Sequence, residues 1–481
     1  MKTENFGYKK MYINGQLLDA ESGKKEAVIC PATGEAIAEI AIAGIKDTQK
    51  ALLSSQQGFK YWSALTLAQR SEWMDKLRTA VLNKEKELRS AIIHEMGKTY
   101  ASSLEDIEAL TNALEWYPNA MKNYKEEQIP DYENTHTHKM IQQPAGVAVA
   151  YLAWNFPLLN VGFKIGPALA AGCSLIIKPS NLSPLSAYLL GEILNDINFP
   201  AGVVNILCGP TSEVASVLTK SKIPAVLTMI GSTNTGKRVI ADSTTSIKKL
   251  GMELGGNAPF IVYEDADFNK ALDLAIGLKF GNSGQICVAA NRFFIEERLY
   301  DKFISEYIKR AKSLKLGFGI DQTVDMGPMV DKKSRDRMFE LIEDAIEKGA
   351  TLECGGHIPD ALHKGSWMAP TVLSNTTTDM RVFKEEIFGP IAAFMKFKTD
   401  DEVLELANDT EYGLASYLFT NNHKRIQRFT EELQFGEIQI NGVKYAIYLP
   451  HGGIKESGIG HDCSHLAIED YIVKKRISTA L

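Results

Sequence analysis

The sequence runs to 481 residues, 45% hydrophobic and 23% charged, with 53 Lys and Arg against 59 Asp and Glu for a formal net charge of −6. At about 150 residues per domain this length suits roughly three lobes able to bury their cores without disulfide or metal staples, which excludes disordered, collagen-like and small secreted scaffolds. The mild negative charge argues against a nucleic-acid partner held through its phosphates, and six scattered cysteines with no CxxC pair or zinc spacing suit a reducing cytoplasm.

The opening residues are charged and lack the apolar core of a targeting segment. Roughly the first 120 residues are predicted to be mainly helical. Residues 124–140 are polar and extended, broken by Pro130, and are expected to project from the body. Residues 141–163 carry no charge and are long enough to cross a bilayer, but they contain Gln142, Gln143, Pro144, Asn155, Pro157 and Asn160. A buried strand and loop is expected there, with no membrane partner. From residue 145 a regular alternation begins, with strands at 145–153, 174–177, 203–207, 225–229 and 248–253. Helices lie between them at 159–171, 184–195 (opened by Ser183), 213–218 and 235–241. This pattern predicts an α/β fold with a parallel, doubly wound sheet, which binds ligands at the carboxyl ends of its strands. A second α/β region follows, with helices at 301–314 and 335–346.

Several short motifs lead nowhere. Gly317-Phe318-Gly319 lacks the third glycine of a dinucleotide fingerprint, and His94-Glu95 has Lys98 where a zinc protease needs histidine. His136-Thr137-His138 has no third ligand nearby and reads as an exposed ribbon, so no metal centre is expected. Gly231-Ser232-Thr233-Asn234-Thr235-Gly236 follows a strand and opens a helix, which suits a phosphate, although an ordinary capped turn fits the same residues. Cys287 sits in the tight loop Asn282-Ser283-Gly284-Gln285-Ile286-Cys287, placed for nucleophilic work. Its company includes Trp154-Asn155-Phe156-Pro157 and Glu253-Leu254-Gly255-Gly256, each ending a strand, and Glu385 to Pro390 downstream.

These motifs, with Lys178-Pro179-Ser180 and Gly452-Gly453-Ile454-Lys455-Glu456-Ser457-Gly458, occur in an order that resembles the aldehyde dehydrogenase superfamily over essentially the whole chain, closest to its lactaldehyde and succinate-semialdehyde branch. The resemblance implies a Rossmann-like cofactor domain (1–122 and 145–252), a second α/β catalytic domain (253–440), a small β oligomerisation arm (123–144 and 468–481) and a returning segment with a substrate loop (441–467). It implies that Cys287 is the nucleophile, Asn155 the oxyanion donor and Glu253 the general base. NAD or NADP would be held by Trp154, Lys178, Ser180, Asn181, Gly231, Ser232, Leu254, Glu386 and Phe388. A homo-oligomer is implied, either a dimer or a dimer of dimers.

The departures from that pattern bear on specificity. Asn181 stands where many NAD-preferring relatives carry glutamate, which removes a charge that would repel a 2′-phosphate. The two arginines common in succinate-semialdehyde enzymes are replaced by Phe163 and Gly281, and the usual phenylalanine before the late Gly-Gly pair is His451. The substrate is expected to meet Asn160, Phe163, Tyr445, His451 and His461. Their polarity points to a small hydroxylated or acidic aldehyde, oxidised through a cysteine thiohemiacetal and a thioester that water hydrolyses. The alternatives are a CoA-acylating semialdehyde dehydrogenase, disfavoured by Glu253, and a silent scaffold, disfavoured by Cys287, Glu253 and Asn155 together.

Overall fold

The computed structural model describes residues 3–481. Its first sheet has five parallel strands in the spatial order Val204–Ile206, Ser174–Lys178, Val147–Tyr151, Pro224–Ile230 and Lys249–Glu253. The chain starts at the centre with 147–151, winds outward through 174–178 and 204–206, then returns to build the other half. The strand order therefore switches between Val147–Tyr151 and Pro224–Ile230, the place where doubly wound sheets open a ligand crevice. Val147–Tyr151 is buried along its whole length, as a strand covered by helices on both faces must be. Antiparallel strands finish the edges, Met11–Ile13 and Gln16–Leu18 on one side and Gly458–Ile459 on the other.

The second sheet is parallel through Thr371–Ser374, Ile391–Phe397, Ala290–Glu296, Ala258–Val262, Ala415–Phe419 and Glu437–Ile440, with Thr351–Cys354 antiparallel at one edge. Its core is aromatic: the rings of Phe293 and Phe394 stack at 4.7 Å, with Phe260 and Tyr307 packed around them. The two sheets are joined through Leu254 to Asn257, which link the carboxyl end of Lys249–Glu253 to the amino end of Ala258–Val262. The carboxyl ends of one sheet thus face the amino ends of the other.

A third, three-stranded sheet pairs His136–Pro144 with Glu127–Ile129 and with the tail Ile472–Ala480. The His136-Thr137-His138 motif lies on this ribbon, the two rings stacked at 5.8 Å.

The N-terminal region departs from the helical expectation. Four helices do fill Ile45–Met121, but residues 8–41 form five short strands. The Asn14-Gly15 turn explains one pair: both residues have positive φ, 56° and 75°, the geometry of a tight hairpin between Met11–Ile13 and Gln16–Leu18. Ser183 does not cap the helix after it. That helix spans Leu185–Asp196, and its first N–H groups, on Leu185 and Ser186, donate to the buried carboxylate of Glu95 at 2.6 and 2.9 Å. Ser183 instead donates to the Trp154 carbonyl at 2.9 Å. Among the described residues no helix is long and apolar enough to cross a membrane.

Candidate active site

Asn155 hangs from the loop after Val147–Tyr151, and a buried ion pair sets that loop. Lys98 donates to Asp106 at 2.7 Å, and the other Asp106 oxygen accepts from Leu158 N and Leu159 N at 2.9 and 3.0 Å. The carboxylate thereby satisfies free N–H groups at the start of helix Pro157–Ala171. Asn155 is buried, donates through Nδ2 to the Gln285 carbonyl at 3.0 Å, and accepts on its backbone oxygen from Asn282 at 3.1 Å. An amide NH₂ carries two donors, so this contact leaves one for a ligand.

The Cys287 loop reaches the same point from the second sheet. Asn282, Ser283 and Gly284 take three successive left-handed conformations, with φ of 48°, 57° and 72°. At Gly284 only glycine fits, because a Cβ there would lie 2.2 Å from the Gly389 carbonyl oxygen. Ser283 donates to Gly327 O at 2.8 Å and Gln285 accepts from Val330 N at 2.9 Å, which ties the strained turn to its surroundings.

Glu253 arrives from the first sheet. Its Oε1 is buried without a hydrogen bond and lies 3.5 Å from Nε2 of His451. One ligand atom each from Glu253, Cys287 and His451 lie within 4.8 Å of one another. On its far side, His451 Nδ1 sits 2.6 Å from Oε1 of Glu437. Burial opposes a charge on His451, yet Glu437, Cys287 and Glu253 hold its pKa well above the ordinary imidazole range. Burial, and then the Glu253 charge, hold the Cys287 thiol above its ordinary range, with His451 pulling it down by less.

One cleft of about 1790 Å³ connects these groups to the first sheet. Lys178 ends its strand there and donates to Asn181 Oδ1 at 3.1 Å, and the Ser180 hydroxyl accepts from Leu182 N at 3.2 Å. Gly231 and Ser232 open helix Thr233–Asp242, where Ser232 is the N-cap. Leu254 lines the cleft, and Glu386 accepts from Gly256 N at 2.9 Å, its carboxyl pushed up to about 7 by burial. Phe388, at φ 54°, meets Trp154 edge-on at 5.3 Å. A lysine, polar side chains, a helix N-terminus and a half-buried carboxyl lining one cleft suit a molecule with sugar hydroxyls and a pyrophosphate.

Against this geometry, the model of the aldehyde dehydrogenase family matches residues 17–477. The chain belongs to the aldehyde dehydrogenase family. It is 36% identical over 466 residues to the mitochondrial succinate-semialdehyde dehydrogenase of Oryza sativa subsp. japonica, covering 97% of this chain and 88% of the relative. It is 37% identical to the 3-sulfolactaldehyde dehydrogenase of Pseudomonas putida, with 97% and 96% covered. An Escherichia coli crystal structure described as an NADP dependent enzyme superimposes with a TM-score of 0.96 at 36% identity, covering 98% of each chain.

In this aldehyde dehydrogenase the expected substrate residues divide. Asn160, Phe163, Tyr445 and His451 line the cleft near Cys287, with the rings of Phe163 and Tyr445 each 6.1 Å from His451. Asn160 is buried and donates to Ala153 O at 3.2 Å. His461 is exposed and does not line the cleft, although the next two residues, Asp462 and Cys463, do. Nothing local in the sequence marks Glu437, which starts an alternating strand and meets His451 only through the fold. Arg337 was equally unmarked. It donates to the carbonyls of Glu386 and Ile387 at 2.9 and 2.8 Å and fixes the loop that carries Glu386 and Phe388.

Proposed function

We propose that the chain oxidises a small polar aldehyde to its carboxylic acid with NAD or NADP. The observation that carries this reading is the meeting of Cys287, Glu253 and Asn155, from three distant stretches, in one cleft. Cys287 attacks the aldehyde carbon, and the developing oxyanion lies between the free Asn155 N–H and the Cys287 backbone N–H. The nicotinamide cofactor, when bound, supplies the hydride acceptor. The acyl group is left on Cys287 as a thioester, and Glu253 takes a proton from the water that cleaves it. Lys178, Ser180, Asn181, Gly231, Ser232, Leu254 and Glu386 hold the cofactor, with Trp154 and Phe388 flanking its reactive ring.

Hydroxylated aldehydes suit the pocket better than acidic ones. Asn160 and His451 offer hydrogen bonds, whereas the charge on His451 is already shared by Glu437 and Glu253. A purely alkyl aldehyde would leave unused the hydrogen-bonding capacity that Asn160 and His451 keep beyond their contacts with Ala153 and Glu437. The sheet of residues 127–144 and 472–480 serves as the arm that joins subunits, since Ile472–Ala480 lies at its edge and pairs within the chain on one side only. The six free cysteines are in keeping with work in a reducing cytoplasm.

The test is absorbance of reduced cofactor with lactaldehyde, succinate semialdehyde, hexanal and benzaldehyde, using NAD and NADP, with and without CoA. The reading expects CoA-independent reduction with lactaldehyde-like substrates leading. Strict CoA dependence would move the chain to the acylating class, and silence with every pair would make it a scaffold.

A further inference from the structure

Thiol activation is the step the family resemblance leaves unexplained here. Cys287 faces burial and the carboxylate of Glu253, both of which disfavour a thiolate. His451 stands within 4.8 Å of Sγ and Glu253, and Glu437 holds the far side of its ring at 2.6 Å. The backbone of His451 is fixed as well, bridged to Asp462 in both directions at 2.8 and 2.6 Å. This is the arrangement of a thiol, an imidazole and an orienting carboxylate that activates cysteine nucleophiles in other folds.

We propose that Cys287, His451 and Glu437 form an activating triad, in which the Cys287 nucleophile is a thiolate paired with the His451 imidazolium. The proposal rests on the aldehyde-oxidation reading for its purpose, but not for its test. The proton of the Cys287 S–H resides on Nε2 of His451, so the pair carries no net charge beyond that of the neutral thiol and imidazole. Nδ1–H donates to Glu437 throughout, which fixes the tautomer and ring orientation. Glu253 is then free of the activation step and remains available for the hydrolytic water.

The groups around His451 are consistent with this assignment. Glu437 and Glu253 are its close acids. Tyr445 presents its ring, and its hydroxyl is hydrogen-bonded to that of Tyr417 at 2.9 Å. Asp462 is engaged by Lys164 at 2.5 Å, and Cys463 is buried, its thiol pushed up by burial. Phe163 closes the remaining side.

The experiment is iodoacetamide alkylation of the full chain without cofactor, from pH 5 to 10. Modification of Cys287 is followed by peptide mass, so the other cysteines do not contribute. A chelator is included so that adventitious metal does not mask the thiol. The triad expects appreciable Cys287 modification at pH 7, slowed roughly ten-fold or more in His451→Phe, with the midpoint moved up by about one pH unit or more and the rate recovered at high pH. Glu437→Gln, which keeps the imidazole, moves the midpoint in the same direction by less. If both variants keep the parent midpoint and rate, the triad is wrong and His451 is only a pocket wall. Aldehyde turnover is not part of the readout, so failure of the functional reading would leave this result standing, and the reverse also holds.

Discussion

The carboxylate of Glu437 lies 2.6 Å from Nδ1 of His451, while Nε2 of the same ring is 3.5 Å from Glu253. One imidazole thus stands between two carboxylates beside the candidate nucleophile. Its position explains how a histidine is accommodated there: the fold supplies it with a carboxylate partner. A lone buried imidazolium would cost several kcal/mol, and a paired one far less.

Removing one member of that pair strands the other. His451→Phe leaves the Glu437 carboxylate largely buried without its donor and is expected to destabilise the fold by about 1–3 kcal/mol. Glu437→Ile alone should cost a similar amount. The double variant should recover much of the loss, a coupling of about 1 kcal/mol or more in a urea-unfolding cycle. Additive losses would mean that the two side chains do not act as a pair.

The same pair sets a pH dependence. The folded-state pKa of His451 lies above the ordinary imidazole value, so its protonation contributes stability that is complete below the usual imidazole range. That contribution is lost as pH rises through the elevated value. Relative to His451→Phe, the parent should therefore lose stability on the alkaline side of neutrality, seen as a falling difference in melting temperature between pH 6 and 10. A difference constant across that range would contradict the shift.

The proposed cofactor site makes Asn181 the residue expected to set the choice between NAD and NADP. It accepts from Lys178 at 3.1 Å and stands where a glutamate would repel a 2′-phosphate. Asn181→Glu is expected to lower kcat/KM for NADP roughly ten-fold or more while sparing NAD, an electrostatic penalty of about 1.4 kcal/mol or greater. Equal effects on both cofactors would place the 2′-position elsewhere.

At Gly284 the constraint is steric. A methyl group at φ 72°, 2.2 Å from the Gly389 oxygen, must displace the Cys287 loop. Gly284→Ala should cost a few kcal/mol of stability or, if the loop yields instead, most of the activity. A variant with parent activity and melting temperature would show that the turn is not held as described.

The tail strand gives a simple test of assembly. Light scattering at micromolar concentration should report a dimer or tetramer, and deletion of residues 472–481 should reduce that mass or cause aggregation. A monomeric parent would remove the arm's assigned role.

Much of the first sheet and of the candidate site was legible because its signals are local. Short apolar strands alternate with amphipathic helices from residue 145, and Asn155, Glu253 and Cys287 sit in compact motifs at strand ends or tight loops. The remainder depends on contacts between distant parts of the chain. Glu95 caps a helix that begins ninety residues later, so Ser183 looked like the cap. Glu437 looks like one polar position of an alternating strand until the fold sets it against His451. His461 lies close to the substrate loop in sequence, but its side chain is exposed while its neighbours Asp462 and Cys463 line the cleft. The strands of residues 8–41 are short, and their pairing is mostly tertiary; the Asn14-Gly15 turn is the one local hairpin signal, and the helical expectation overlooked it.

The most direct test of the account is a rapid-mixing experiment on Glu253→Gln with a lactaldehyde-type substrate and saturating cofactor. With Cys287 still able to attack and the base for hydrolysis removed, a burst of about one reduced cofactor per subunit should be followed by a stall, with the acyl mass found on the Cys287 peptide. Cys287→Ala should show no burst. Steady turnover of Glu253→Gln at the parent rate, or an acyl group on any other residue, would contradict the assignment of Cys287 and Glu253.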